Sequence, residues 1–201
     1  NPDVNLYAVY GIGKRPEILQ LNANGTSSII PAEELTSMEG GVKVRLLGGR
    51  LVGDASIYHY SYKNFQTAAI VNGKLSTINA GKADATGFEA QLNYAIAPEF
   101  TVFGSYGYNH ARFKGGAYDG NFFRNSPDHK FAIGADLSLP LQEGTISFAP
   151  LFSWQSKMYF FDDNDRADLQ IRSPIALSDK VVDEFQGGYG LLSARLTFTA
   201  P

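Results

Sequence analysis

Polarity in this sequence flips at every second residue over long stretches. From Thr86 to Ala97, Phe88, Ala90, Leu92, Tyr94 and Ile96 fall on one side of an extended chain, and Glu89, Gln91, Asn93 and Ala95 on the other. A two-residue period belongs to a β-strand with two different faces. His129 to Leu139 repeats it, with Phe131, Ile133, Ala135, Leu137 and Leu139 opposing Lys130, Ala132, Gly134, Asp136 and Ser138. So do Ile146 to Trp154 and Leu192 to Phe198, and more weakly Val4 to Gly13, Met38 to Leu47, Leu51 to Lys63 and Phe100 to Ala111. Scattered glycines oppose a helical alternative, since each costs a helix roughly 1 kcal/mol against alanine. About eight strands are expected, each long enough for the ~9–11 residues that a tilted membrane strand needs.

The connections alternate in length. Leu47-Gly48-Gly49-Arg50, Ala97-Pro98-Glu99 and Pro140-Leu141-Gln142-Glu143-Gly144 are tight. Between them lie long polar segments, Lys14 to Glu34, Asn64 to Lys82, Arg112 to Asp128 and Met158 to Gly187. Short turns at one end and long loops at the other are the habit of transmembrane barrels of the outer membrane. The apolar faces carry Tyr94, Phe100, Phe148, Phe152 and Trp154 near strand ends, as girdles at a membrane–water boundary do. The expected fold is therefore all-β, an antiparallel up-and-down transmembrane β-barrel of about eight strands; that these are an arc of a larger barrel is implied only by the resemblance given below. Pro150, which lacks a ladder donor, predicts a bulge, and Gly81 and Gly87 predict a bulge or bend.

Composition removes other classes. A formal net charge of -3 leaves no basic field for nucleic acid. The absence of cysteine excludes a disulfide scaffold and a thiolate metal site. No run approaches ~20 apolar residues, the length of a membrane helix. The chain opens on Asn1-Pro2-Asp3 with no signal-peptide pattern, which reads as a cut.

No catalytic constellation is legible and no cofactor is implied. His59, His110 and His129 fall on different expected strands, without metal-ligand spacing. Asp162-Asp163-Asn164-Asp165 resembles part of a calcium loop but lacks the glycine and distal glutamate of the full pattern, so no metal is expected. Arginine beside aromatic residues suits an anionic or aromatic chelate, by charge and by stacking. Arg112, Phe113, Tyr118, Phe122, Phe123 and Arg124 form one such group in an expected extracellular loop, and Tyr159, Phe160 and Arg166 a second. A self-packed loop cluster is the competing reading of both. Glu39, Lys43, Arg45, Glu89, Lys130, Asp136, Lys157 and Arg195 are expected to line a polar lumen.

Ordered along the chain, several short stretches resemble the TonB-dependent receptors. Pro31 to Lys43 resembles their proline-acid-threonine loop leading into a strand reading E-x-G-x-K. Leu47 to Leu51 resembles the following periplasmic turn, and Tyr58 to Asn64 the strand end reading Y-x-x-x-K-N. Asn79-Ala80-Gly81-Lys82-Ala83 with Gly87-Phe88-Glu89 is similar to the family's N-A-G-x-A-x-x-x-G-x-E, and Asn125-Ser126-Pro127 to the start of its next strand. The resemblance implies an outer-membrane receptor for energy-coupled uptake of a ferric siderophore or similar bulky nutrient, with the TonB complex, outer-membrane lipid and the nutrient as partners. It also implies that residues 1–201 are a partial barrel, the back half, without the family's plug and TonB-contacting segment. Thr199-Ala200-Pro201 reads as the start of a periplasmic turn rather than as the aromatic end of a closing strand. Three rivals stay open: a complete small barrel acting as a passive pore or anchor, an outer-membrane lipid-modifying enzyme, and a soluble β-sandwich binding module.

Overall fold

The computed structural model describes residues 3–21, 25–71, 74–169 and 184–200. Their strands are β1 (Val4–Arg15), β2 (Ile18–Leu21), β3 (Ser27–Ile30), β4 (Glu33–Leu46), β5 (Leu51–Lys63), β6 (Gln66–Val71), β7 (Lys74–Asn79), β8 (Lys82–Ala97), β9 (Phe100–Lys114), β10 (His129–Leu141), β11 (Gly144–Gln155), β12 (Met158–Tyr159), β13 (Phe185–Gln186) and β14 (Tyr189–Thr199). Among the described residues no helix is long and apolar enough to cross a membrane.

Eight strands form one antiparallel sheet in the order β1-β4-β5-β8-β9-β10-β11-β14. Each long strand lies beside the next long strand in sequence, an up-and-down meander. β1 and β14 stand at opposite ends of that order, so the sheet is open rather than a ring. The short strands pair as β2-β3, β6-β7 and β12-β13, and all three hairpins sit in long connections. The expected long segment from Met158 to Gly187 lies partly outside the described residues, as do Asn1, Pro2 and Pro201.

The tight turns follow from local chemistry. Leu47–Gly49 makes a 3₁₀ turn in which Gly48 and Gly49 hold φ of 66° and 89°, a region that costs glycine little. Pro98-Glu99 and Gln142-Glu143 close two-residue turns between β8 and β9 and between β10 and β11.

Partners directly opposite in an antiparallel ladder share a face. One row crosses the sheet through Leu6, Val42, Ala55, Ala90, Tyr106, Phe131 and Trp154. The adjacent row, on the other face, runs Asn5, Lys43, Asp54, Gln91, Ser105, Ala132 and Ser153. The sheet thus has one continuous apolar face and one continuous polar face. The apolar face is bare: Leu6 is 78% exposed, Ile57 64% and Leu192 77%. A soluble monomer does not present an apolar surface of that extent, whereas lipid solvates it. The sandwich reading needed Phe88 and Leu92 in a dry core; they are 37% and 49% exposed.

Two expectations about backbone irregularity fail. Pro150 makes no bulge: Gly134–Leu151 and Leu137–Phe148 keep one register on either side of it, and Pro150 remains opposite Ala194. A missing donor removes a bond, but correctly paired strands on both sides hold the register. Gly87 is also in regular register. Its reason is packing: a Cβ there would overlap the Tyr58 ring and lie 2.5 Å from the Tyr108 carbonyl oxygen. Gly81, just before β8, holds a positive φ of 90°, a region that favours glycine. The register shift that does occur lies between Ala95 and Ala97, beside the Pro98 turn.

Candidate ligand-facing loops and polar face

At the long-loop end, the polar face carries a small core of its own. Ala83, Ala85, Ala111 and Phe113 are buried there, and Tyr62, Phe65, Tyr118 and Phe123 pack on the cluster of Ala80, Ala83 and Phe113. Phe113 is fully buried, with ring centroids of Phe65, Phe123 and Tyr118 at 5.3, 4.9 and 5.5 Å. The loop after β9 folds back alongside it. Phe113 donates its N–H to the Asn121 carbonyl and accepts from Gly120, and Arg112 and Phe122 form a β-bridge. Alternation across this bridge sends Phe123 onto Phe113 and Phe122 onto Arg112, whose guanidinium carbon is 3.3 Å from the Phe122 ring centre.

The acidic stretch after β12 ties this loop down. Asp162 is buried; its carboxylate accepts from the Thr67 hydroxyl and from the Arg124 N–H, and its carbonyl accepts from the Asn121 amide. The Asn164 side chain accepts from the Phe122 N–H at 2.5 Å and donates to the Phe122 carbonyl at 3.0 Å, imitating a strand partner. Arg166 donates to the Ala117 carbonyl and to Asn121 while pairing with Asp168. The segment that resembled half a calcium loop thus acts first as a tether.

Asp163 and Asp165 come together with Glu184, one carboxylate oxygen from each lying within 4.8 Å of the others. Burial, and then the neighbouring carboxylates, push the Glu184 carboxyl up; burial is likewise the largest cause of the rise at Asp163. Glu184 is distant from both aspartates in the chain, and no sequence spacing connected it to them.

The expected ligand-contacting residues separate into two kinds. Arg112 and Phe113 are interior: Arg112 is locked to Asp128 by two hydrogen bonds, and no surface of Phe113 is available to a ligand. Tyr118, Phe122 and Phe123 are partly buried in the same packing. Arg124 is exposed, and its guanidinium has no ion-pair partner among the described residues. Phe160 is 41% exposed. Tyr159 is half-buried between Phe122 and Phe185.

Of the expected lumen set, Glu39, Lys43, Arg45, Glu89, Lys130, Asp136 and Arg195 stand on the polar face by register. Lys157 does not. It follows the end of β11, and its ammonium lies 4.3 and 3.9 Å from the Tyr159 and Phe185 ring centres. Strand alternation ends before it, so parity along β11 does not extend that far. The polar face also holds a groove of about 400 Å³ lined by Asp54, Glu89, Gln91, Ser105, Lys130 and Gln155. Sequence reading missed the tyrosines of that face: Tyr7 donates to Glu39 at 2.7 Å, and Tyr58 and Tyr60 stack at 4.8 Å. Alternation along β5 places Tyr58 and Tyr60 on the side opposite Ile57, and that is the signal that could have found them.

A two-faced open meander with tight turns at one end and folded loops at the other matches a family model over residues 1–201, "TonB dependent receptor-like, beta-barrel". The chain belongs to the TonB-dependent receptor β-barrel family. A curated relative, the probable TonB-dependent receptor BfrD of Bordetella pertussis, is 27% identical over 168 residues, 79% of this chain and 22% of the relative. The solved ferric yersiniabactin uptake receptor FyuA of Yersinia pestis superposes with a TM-score of 0.78 at 20% identity, over 100% of this chain and 28% of that one. The siderophore receptor PiuA of Acinetobacter baumannii gives 0.70 at 18% identity, over 98% and 28%. The chain therefore spans about a quarter of the length of these relatives, and its sheet corresponds to part of the solved structures. Such barrels are bacterial outer-membrane proteins, which accounts for the bare apolar face. The family is one of receptors and transporters rather than enzymes.

Proposed function

We propose that this chain is a wall segment and loop platform of a receptor for energy-coupled uptake of a ferric siderophore or similarly bulky nutrient. The carrying observation is the asymmetry of its sheet: one face bare and apolar, the other polar and capped at one end by an ordered loop core. In this reading, further strands complete the ring, because an unpaired strand edge in lipid leaves backbone groups costing several kcal/mol each. A plug outside residues 1–201 gates the lumen and relays force from the TonB complex. The fragment itself provides no catalytic step. A passive small barrel is disfavoured because β1 and β14 do not pair.

Within the loops, Arg124 and Phe160 are the ligand contacts, with Tyr159, Tyr118 and Arg166 beside them; Arg112, Phe113, Phe122 and Phe123 hold the platform. Glu39, Lys43, Arg45, Glu89, Lys130, Asp136 and Arg195 line the lumen. The test is uptake of iron-55 siderophores by cells carrying the full receptor, with and without TonB. TonB-dependent uptake with about tenfold weaker binding in Arg124→Ala and Phe160→Ala, the loss typical of removing one good contact, supports the reading. Uptake indifferent to TonB would sink it; normal binding in both variants would sink the site assignment.

A further inference from the structure

The four long connections of the chain meet at two consecutive buried polar residues, Gln66 and Thr67, 4% and 3% exposed. They open β6, and successive side chains of a strand point to opposite faces. Gln66 takes hold of the first connection, which carries the β2–β3 hairpin. Its side-chain nitrogen donates to the Pro16 carbonyl at 3.0 Å and to the Pro31 carbonyl at 2.9 Å. Pro16 directly follows β1 and Pro31 lies just before β4, so one amide closes the base of the hairpin between them. The Gln66 backbone N–H donates to the Glu33 carboxylate at 2.7 Å, and its carbonyl accepts from Arg15 at 3.3 Å. Both side-chain partners are carbonyls, so the amide nitrogen must face them. Its Oε1 is buried with no donor among the described residues.

Thr67 takes hold of the third and fourth connections. Its hydroxyl donates to the Asp162 carboxylate in the fourth. The other oxygen of that carboxylate accepts the Arg124 N–H at 2.9 Å, and the Asp162 carbonyl accepts from the Asn121 amide at 2.8 Å, both in the third. Asp162 is 6% exposed, so a group that loses its partner there has little water to replace it. The backbone of Arg124 is thus fixed by a carboxylate that Thr67 holds, and the neighbour of Thr67 holds the first connection. Among the described residues no hydrogen bond joins Gln66 to Arg124 directly. The link between them runs through the backbone of β6.

We propose that Gln66 and Thr67 are positioning residues for ligand capture, a two-sided clasp that holds the four connections as one preformed mouth and sets where Arg124 meets the nutrient. It rests on the reading that Arg124 is a ligand contact. A preformed mouth binds without first ordering its loops, and the cost of that ordering is what weakens binding by free loops. The clasped loops bind the nutrient as they stand and do not have to close over it.

The experiment is residue-resolved hydrogen exchange of the full-length receptor without ligand, with the Arg124 amide as reporter. Gln66→Met keeps the reach of the side chain and removes its donors. It should speed exchange of the Arg124 amide about tenfold, the effect of one weakened buried hydrogen bond, although Gln66 makes no bond to Arg124. Thr67→Val should do the same, and Thr67→Ser, which keeps the hydroxyl, should exchange as wild type does. Unheated gel mobility verifies that each variant is a folded barrel. Faster exchange confined to the first connection in Gln66→Met, with Arg124 unchanged, overturns the clasp. Binding of iron-55 ferrichrome, ferrioxamine B and ferric enterobactin then separates positioning from stability. For whichever of them wild type binds, Gln66→Met should weaken binding about tenfold in wild type and hardly at all in Arg124→Ala, because the placement of a missing side chain no longer matters. Equal losses in both backgrounds overturn the positioning role. Failure of wild-type cells to take up any iron-55 siderophore overturns the transport reading, while the exchange result still decides the clasp.

Discussion

Arg112 and Asp128 meet fork to fork, Nη1 to Oδ1 at 2.9 Å and Nη2 to Oδ2 at 2.6 Å, with the Phe122 ring stacked on the guanidinium. Their side chains are 10% and 20% exposed. The pair joins the top of β9 to the residue preceding β10 and so closes the loop between them.

Breaking that pair from one side strands a nearly buried charge. Arg112→Met should cost about 3 kcal/mol of loop stability, and Arg112→Lys less but still measurably, because an ammonium cannot reproduce the fork. Hydrogen exchange of residues 118–128 is the readout. Unchanged protection in Arg112→Met would show that the loop does not depend on this contact.

Phe113 is the hub of the loop core. Phe113→Ala should cost about 3–5 kcal/mol there and expose Tyr118 and Phe123. Siderophore binding should then fall through disorder of the platform, with Phe113→Leu recovering most of it. If Phe113→Ala weakens binding while loop exchange stays native, Phe113 contacts ligand directly and its burial is not its role.

Gly87→Ala should destabilise the barrel by about 1–3 kcal/mol through overpacking, seen as a lower temperature of heat modification on gels. Adding Tyr58→Ala should recover only part of the loss, since the Tyr108 carbonyl still opposes the new methyl. Full recovery would mean that the tyrosine ring alone requires the glycine.

The loop carboxylates predict a pH dependence. Asp163 and Glu184 have ordinary values of 3.8 and 4.5, and burial raises both in the folded loop. The folded loop therefore holds protons that the unfolded loop has already released, and folding is favoured at the acid end of that window. Its stability should fall as pH climbs from the ordinary carboxylate range through the raised values. Exchange protection around 162–166, corrected for intrinsic rates, should decrease as pH rises above the ordinary carboxylate values. Asp163→Asn should flatten the profile and protect the loop at neutral pH; a profile equally steep in Asp163→Asn would exclude Asp163 as its source.

The residues that alternate under two different solvents made the sheet legible. From Phe88 to Ile96 lipid contacts one side and polar surroundings the other, so composition alone fixed strand, face and neighbour. Past the apolar band the contrast inverts, with Lys82 and Asp84 on the outer side and buried Ala83 and Ala85 on the inner, so the signal fades although pairing continues to Lys114. Strand parity likewise stops at Gln155, so alternation does not reach Lys157.

By itself, then, the sequence determined an all-β chain of about eight strands with one apolar and one polar face and alternating turns and loops, because two-residue periodicity is a local property of the extended backbone. Only the tertiary structure decided that the sheet stays open between β1 and β14, that Arg112 and Phe113 hold the loop from inside while Arg124 and Phe160 face out, and that Glu184 joins Asp163 and Asp165. Those outcomes depend on contacts between residues far apart in the chain, and a side chain's type does not say which distant partner will bury it.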